Sequence, residues 1–504
     1  SCAPTRAMLL SGVDSHRAGV ANIEEALTSA QSHSPFYRGT LNHNVVTIAS
    51  LLKDNGYHTY MSGKWHLGYK DLFHRPINRG FEQTIMMPYS GGDNWSDKSY
   101  LPNYSKVDWY ANGQITHLPD DFYSSKFIID QSIEFIDMNK KDQQPFFSYV
   151  AFQAVHIPVQ APKAFTEKYI NTYKEGWNAL REKRQKSVKR LGLLPEDANM
   201  ITMTELDGWE DLDQKEKKYH AKSMAVYAGM VDAMDHHIGR LIQYLKDIGE
   251  YENTVFIFTS DNGAEASDPV AVARLFHLWM KYEGYNTDYE TLGEKESYNY
   301  IGPNFASAAV SPLGHYKFYS GEGGLRVPLI VSGPNVHKKL KGNIANTFAY
   351  VKDIAPTILQ LTNTPIPSSP FKGKNIETIT GKSLVPVINE NYNLIHEANE
   401  AIAYEIGGNA ALFQGDYKIM FNRPPLGDGK WHLYNIKKDP GETVDLRVNK
   451  PALFLEMKLA YEVYVETNGV LPIPQEYDQR SQVIKNAINE RIWKPIANFF
   501  DEIL

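Results

Sequence analysis

The sequence predicts an α/β fold with a large, mainly parallel sheet flanked by helices, followed by a smaller C-terminal α+β lobe with a short antiparallel sheet. In the first three quarters, short apolar runs alternate with amphipathic helical stretches, which is typical of a parallel sheet. Beyond about residue 385, short alternating runs separated by turns replace that pattern. We therefore predict two domains, residues 1–385 and 386–504.

Hydrophobic periodicity places the elements of the first domain in chain order. A short helix is predicted to begin at Pro4 and to stop at Gly12, because proline suits the start of a helix and glycine its end. Apolar residues at helical spacing predict three more helices, over Val46–Leu52, Phe122–Ile136 and 214–248. Apolar runs predict four strands, at Thr59–Met61, Phe146–Phe152, Val255–Phe258 and Val327–Val331. We expect the third of these strands to be buried on both faces.

The C-terminal lobe has a different pattern of short strands joined by turns. Four antiparallel strands are predicted, at Ala403–Ile406, Ala411–Gln414, Tyr417–Phe421 and Lys430–Asn435. The tetrapeptide Asp439–Glu442 contains the Pro-Gly pair of a turn. A helix is predicted from Val444 through Tyr464.

Composition excludes several functional classes. A hydrophobic content of 42% and a charged content of 22% are globular values. The net charge of −7 gives no electrostatic reason to bind nucleic acid or an acidic membrane. No apolar run is long enough for a membrane span, and the one cysteine cannot form an intrachain disulfide. We expect a monomer that acts on a small molecule.

That cysteine, Cys2, opens the run C-A-P-T-R-A-M-L-L-S-G. The predicted first helix directs its free N–H groups towards the cysteine, which favours an anion beside the sulfur. Arg6 adds a fixed positive charge suited to a tetrahedral oxyanion. A free cysteine near a frayed terminus is the alternative for this motif taken alone.

Further reactive side chains follow the predicted strands. Lys64 and His66 come after the first strand, His156 after the second, and Asp261 with Asn262 after the third. Ligands of open α/β sheets bind at the carboxyl edge, so these side chains are expected to converge there. Asp261 and Asn262 offer hard oxygen ligands for Ca²⁺ or Mg²⁺, although Asp-Asn-Gly is also a common turn.

These motifs together resemble one enzyme family in their order along the chain. The blocks are C-A-P-T-R at 2–6, G-K-W-H-L-G at 63–68, H-I-P at 156–158, S-D-N-G at 260–263, E-G-G-L-R-V-P at 322–328 and W-H-L-Y-N-I-K-K-D-P-G-E at 431–442. They resemble the type I sulfatases of the alkaline-phosphatase-like superfamily. The stretch Ala264–Tyr316 is similar to the bacterial arylsulfatase.

The resemblance implies the hydrolysis of small aryl or alkyl sulfate monoesters. It implies that Cys2 is oxidised to formylglycine by a formylglycine-generating enzyme that reads C-x-P-x-R. One hydroxyl of the hydrated aldehyde would attack sulfur, and the other would expel sulfate from the resulting sulfo-enzyme intermediate. It further implies that Arg6, Lys64 and Lys317 bind sulfate oxygens, that His66 assists hemiacetal breakdown, and that His156 and Lys317 serve the leaving oxygen.

The resemblance also implies a metal site. Asp261 and Asn262 would bind Ca²⁺, or Mg²⁺, with two aspartates from a strand that precedes the nucleophile. That strand is not in the sequence, and we favour a truncated chain over a defective site. The compartment therefore stays open between the cytoplasm and the periplasm of a bacterium, and the physiological sulfate ester is not readable.

Two other functions stay open, a phosphonate or phosphate monoester hydrolase on the same scaffold and an inactive or merely binding homologue.

Three other features are given structural interpretations. The charged stretch 181–190 is predicted to be a surface helix, Asp235-His236-His237 to lack a metal role, and 321–324 not to be a phosphate loop. The aromatic stretch Pro88–Tyr104 is predicted to be a loop that either packs or lines the substrate entrance.

Overall fold

A computed structural model describes residues 1–203, 206–273, 276–390 and 394–490. The helices of four or more residues are α1 Cys2–Ser11, α2 Ile48–Asp54, α3 Ser124–Asn139, α4 Lys163–Thr166, α5 Gly176–Arg190, α6 Gln214–Asp247, α7 Pro269–Val272, α8 Phe276–Tyr282, α9 Gly302–Val310, α10 Glu322–Leu325, α11 Ile354–Leu361, α12 Val385–Glu390, α13 Pro451–Asn468 and α14 Gln479–Ile488. The strands are β1 His58–Lys64, β2 Gln83–Met87, β3 Trp109–Ala111, β4 Gln114–Thr116, β5 Phe146–Ala151, β6 Phe256–Thr259, β7 Leu329–Ser332, β8 Ala401–Ile406, β9 Asn409–Gln414, β10 Tyr417–Phe421 and β11 Trp431–Asn435.

The central sheet has five strands in the order β4-β3-β2-β1-β5. Its two long ladders, β1 with β2 and β1 with β5, are parallel, and β3 and β4 extend one edge antiparallel. Successive side chains of β1 point to opposite faces of the sheet, and each face is covered by a layer of helices. Tyr60 packs in a core with Ile128 of α3 and Leu241 of α6, whereas Met61 packs in a core with Leu10 of α1. The predicted α/β fold is confirmed.

The carboxyl ends of β1 and β5 lie unusually close together because of a glycine. Gly63 has φ +107°, and a Cβ there would lie 2.0 Å from the carbonyl oxygen of Ala151. Lys64 follows as the last residue of β1, and His66 adopts a positive φ of 58° just beyond it. The chain can therefore place both side chains beside the loop that follows β5.

The first helix starts earlier than predicted. It begins at Cys2, so Pro4 is its third residue, and it ends at Gly12 in the left-handed conformation. Proline is tolerated there because the first N–H groups of a helix have no intrahelical partner. Cys2 thus belongs to the first helical turn and does not lie in front of it.

The prediction that Val255–Phe258 is buried on both faces is wrong. In the described part of the chain, β6 pairs only with β7, antiparallel, in a separate two-stranded sheet. The side chains of Phe258 and Ile330 are 37% and 57% exposed. An apolar run indicates a tendency to be buried, but it does not say which layers will cover the strand.

The C-terminal lobe contains the predicted antiparallel sheet, in the order β11-β10-β9-β8, with α13 packed on it. The predicted helix from Val444 starts only at Pro451, which takes the first helical position, and it ends before the left-handed Gly469. The boundary between residues 385 and 386 stays a prediction, since α12 runs across it.

A buried ion pair joins the lobe to the first part of the chain, within a cluster of three buried charges. The ammonium of Lys418 donates to Glu322 of α10 at 2.9 Å and to Glu442 at 2.7 Å, with all three side chains buried. Removing one member of such a cluster leaves an uncompensated buried charge, which costs about 3–5 kcal/mol. No helix among the described residues combines the length and apolar character needed to cross a membrane.

Candidate active site

One cavity at the carboxyl edge of the central sheet gathers the predicted catalytic residues. Cys2, His66, His156 and Lys317 line it. Arg6 and Lys64 lie next to them with side chains that are almost fully buried. The six residues come from four separate stretches of the chain, and the structure brings all of them together.

Cys2 sits in a strongly cationic environment. Its Sγ lies 3.5 Å from Oδ1 of Asn262, to which it donates a hydrogen bond. Burial raises the pKa of the thiol, but the ammonium groups of Lys317 and Lys64 outweigh burial and lower that pKa well below its usual range. The surroundings of residue 2 therefore stabilise negative charge.

Arg6 holds other parts of the site in place. Its Nε and Nη2 donate to Oδ2 of Asp261 at 3.1 and 2.9 Å. Its Nη1 donates to the carbonyl oxygen of Lys64 at 2.7 Å and to the hydroxyl of Tyr149 at 3.2 Å. The guanidinium thus fixes the Asp261 carboxylate and the end of β1, and four of its five N–H donors are engaged without a substrate.

Lys64 differs from the other cations of the site. Its side chain is buried, and within the described ranges it forms no ion pair. Burial lowers the pKa of the ammonium, and the positive charges of Arg6 and Lys317 lower it further, against the opposing effect of Cys2 and Asp261. An anion beside Cys2 would relieve this uncompensated charge.

His66 is oriented by a buried carboxylate. Its Nε2 lies 3.2 Å from Oε2 of Glu25, and both side chains are 5% exposed. The hydroxyl of Tyr104 donates to the other oxygen of Glu25. Burial lowers the pKa of His66, but the negative charge of Glu25 and the hydrogen bond with that carboxylate outweigh burial and raise it. The opposite ring nitrogen, Nδ1, is buried without a hydrogen-bond partner among the described residues.

His156 and Lys317 form a hydrogen-bonded pair. Nδ1 of His156 lies 2.8 Å from the carbonyl oxygen of Ile157, so it carries the proton, because a carbonyl only accepts. Its Nε2 then accepts from the Lys317 ammonium at 3.0 Å. Burial and the charges of Lys317 and Lys64 lower the pKa of His156, which keeps the ring neutral. Lys317 also donates to the buried carboxylate of Glu265.

Comparisons with known proteins agree with this geometry. The family model "Sulfatase" matches residues 1–364. An uncharacterized sulfatase of Schizosaccharomyces pombe is 34% identical over 95% of this chain and 87% of its own length. The chain belongs to the sulfatase family. An arylsulfatase of Klebsiella aerogenes is 32% identical over 77% of this chain and 82% of its own length. The present chain is a sulfuric ester hydrolase of the arylsulfatase type. The crystal structure of Ps i-CgsB shares the fold, with a TM-score of 0.63 at 22% identity over 97% of this chain and 87% of that one.

The walls of the sulfatase cavity come from segments outside the family motifs. They are largely apolar: Ile23, Tyr100, Leu101, Ile157, Pro269, Val272, Phe276, Phe318, Val483 and Ile484. The aromatic stretch 88–104 has both of the predicted roles, because Tyr100 lines the cavity while Trp95 packs on Tyr123 with ring centroids 4.7 Å apart. The C-terminal helix α14 contributes Arg480 and two apolar residues to the same cavity.

Sequence reasoning missed two carboxylates of this sulfatase site, Glu25 and Glu265, and the role of α14. Glu25 lies in an irregular segment with no periodic pattern, and its partner His66 lies 41 positions further along the chain. Glu265 lies two positions after the Asp-Asn-Gly motif and could have been suspected from that neighbourhood. Asn486 of α14 donates from Nδ2 to the carbonyl oxygens of Glu25 and Leu27 at 2.9 Å, across more than 450 positions. No local signal predicts such a contact.

The substitution Glu25→Gln tests whether this carboxylate controls His66. It removes the negative charge that raises the pKa of His66 while keeping the size of the side chain, so the pKa of His66 should fall. NMR titration of the imidazole measures this directly. Glu24→Gln is the matched control, because Glu24 is an exposed neighbour that pairs with Lys70 at 2.7 Å, and it should leave His66 unchanged. Equal His66 titrations in the parent and in Glu25→Gln would contradict the assignment.

Proposed function

We propose that this sulfatase hydrolyses small aryl or alkyl sulfate monoesters by means of a formylglycine made from Cys2. The observation that carries the proposal is the cavity in which Cys2, His66, His156 and Lys317 meet, with Lys64 buried beside it. The buried Nδ1 of His66 supports the modification, because it has no partner in the described structure and an added hydroxyl beside it would supply one. The formylglycine, when present, supplies a hydrated aldehyde with one oxygen for attack and a second for release of sulfate.

The residues of the chain bind the ester and handle its protons. Lys64 and Lys317 hold sulfate oxygens, since charge-assisted hydrogen bonds in a water-poor site stabilise the developing negative charge. His66, oriented by Glu25, accepts the hydroxyl proton as a base. His156 accepts a hydrogen bond from Lys317, so the two together provide the proton for the leaving oxygen.

A metal ion fits this site only in part. Asp261 and Asn262 supply two hard oxygen ligands next to Cys2, which suits Ca²⁺ or Mg²⁺, but Ca²⁺ takes about 6–8 oxygen ligands. Across the ranges that the structure describes, no three His, Cys, Asp or Glu side chains are arranged to hold a metal. We propose Asp261 and Asn262 as two of the ligands.

Turnover of nitrophenyl sulfate by protein made with a formylglycine-generating enzyme is the first test. Mass spectrometry should find Cys2 as formylglycine in the active material. Cys2→Ala removes the nucleophile, and kcat/KM should fall by at least about a thousandfold. Wild-type turnover by Cys2→Ala, or active protein with unmodified Cys2, would refute the mechanism. A matured protein without any sulfatase turnover would refute the proposed substrate class.

Calcium content tests the metal assignment separately. Asp261→Asn removes a charged ligand and should lower the bound Ca²⁺ per chain, measured by elemental analysis after equilibration with CaCl₂. Asp268→Asn is the matched control, since this carboxylate lines the same cavity but its Oδ1 accepts from the backbone N–H of Ala271 at 3.0 Å. Asp261→Asn with the calcium content of the parent would exclude Asp261 as a ligand.

The dependence of rate on leaving group tests His156. An alkoxide needs a proton as it leaves, whereas nitrophenolate needs little assistance. His156→Ala should therefore slow alkyl sulfate hydrolysis far more than nitrophenyl sulfate hydrolysis, and Lys64→Ala should slow both alike. The measurement is kcat/KM against leaving-group pKa for each variant. A slope in His156→Ala that is no steeper than in the parent would remove His156 from this role.

A further inference from the structure

Arg480 of α14 is a charged side chain in a wall of the cavity that is otherwise mainly apolar. It lines the cavity together with Val483 and Ile484 of the same helix. The side chain is half-buried, and its Cζ lies 5.8 Å from the centroid of the Tyr316 ring. Ligand pockets combine apolar walls with a few polar groups that fix the orientation of the ligand. Arg480 is such a group, on the wall that faces the organic part of a bound ester.

The carboxylates that line the same cavity have partners other than Arg480. These partners are His66 for Glu25 at 3.2 Å, Lys317 for Glu265, and the backbone N–H of Ala271 for Asp268 at 3.0 Å. Neither Glu265 nor Asp268 forms an ion pair with Arg480. The negative charges of the cavity therefore leave the guanidinium available to a ligand.

Arg480 and Phe318 also line a smaller adjoining pocket, whose charged side chains include Arg423 and Asp478. Asp478 is the N-cap of α14, and its Oδ1 accepts from the backbone N–H and the hydroxyl of Ser481 at 2.9 and 2.7 Å. Residues two positions apart on a helix do not face each other, so this carboxylate is not turned towards Arg480. Among the residues with described positions, Arg480 forms no ion pair.

We propose that Arg480 is a specificity-determining residue that binds a carboxylate on the organic part of the sulfate ester. The inference rests on the proposed function and names a feature of the substrate that this site reads. A guanidinium presents its N–H donors in a planar fork that matches the two oxygens of a carboxylate. The apolar neighbours of Arg480 reduce the water around it, which strengthens its attraction for an anion.

Carboxyphenyl sulfate and its methyl ester form the test pair, because they are similar in shape and differ in the charge at one end. The measurement is the ratio of kcat/KM for the acid to kcat/KM for the ester, made with protein that carries the matured Cys2. Arg480→Gln should lower this acid-to-ester ratio by about tenfold, since charge-assisted hydrogen bonds are lost. Substrates with the carboxylate in the meta and the para position cover two distances from the sulfate, and at least one of them should show the drop.

Lys485→Gln is the matched control. It removes the same charge from the same helix, at an exposed position outside the lining of the cavity, so the acid-to-ester ratio should stay at the parent value. Equal ratios in the parent and in Arg480→Gln for both substrate positions, or an equal drop in the two variants, would overturn the inference. A matured parent that turns over no aryl sulfate would instead refute the proposed function, which keeps the two failures distinguishable.

A binding measurement covers the case in which Arg480→Gln does not fold or the parent has no turnover. Calorimetry on the parent protein would compare sulfobenzoate with its carboxylic methyl ester, because a sulfonate keeps its negative charge and is not a sulfate ester that can be hydrolysed. The acid should bind more tightly than the methyl ester, although the cavity also contains Glu265 and Asp268. A methyl ester that binds as tightly as the acid, or more tightly, would overturn the proposed role of Arg480.

Discussion

The site of this sulfatase depends on one physical constraint, which is that its buried cations need negatively charged partners. Lys317 lines the cavity and Arg6 and Lys64 lie buried beside it, where like charges repel strongly because little water screens them. The fold places a carboxylate beside two of these cations: Asp261 pairs with Arg6, and Glu265 pairs with Lys317. Lys64 forms no ion pair among the residues that the structure describes. The cavity therefore keeps an attraction for anions.

The central sheet makes this arrangement possible. Parallel pairing of β1 with β2 and β5 brings the loops that follow β1 and β5 to one edge, and Gly63 lets the backbones approach where a side chain would collide with Ala151. Lys64, His66 and His156 are thereby fixed by the ends of rigid strands. Catalytic groups held in this way need little reorganisation during reaction.

The C-terminal lobe is part of the active-site architecture. Lys418 joins it to α10 through a buried ion pair with Glu322, and buried Glu405 of β8 lies 2.9 Å from Nε2 of His16 just beyond α1. Asn486 of α14 holds the backbone of the segment that carries Glu25. The orientation of His66 consequently depends on a helix at the far end of the chain, and the same helix closes the apolar wall of the cavity.

The sequence by itself determined the α/β class, the antiparallel lobe, and the reactive residues that follow strands, because periodicity and short motifs are local properties. Such local motifs are enough to propose candidate site residues, namely Cys2, Lys64, His66, His156, Lys317, Asp261 and Asn262. Only the tertiary structure decided which charges pair. Glu25 meets His66, and Glu265 meets Lys317, through folding that joins distant segments, and the exposure of β6 depends on which layers cover it. Pairing and covering are set by long-range packing, which no local pattern encodes.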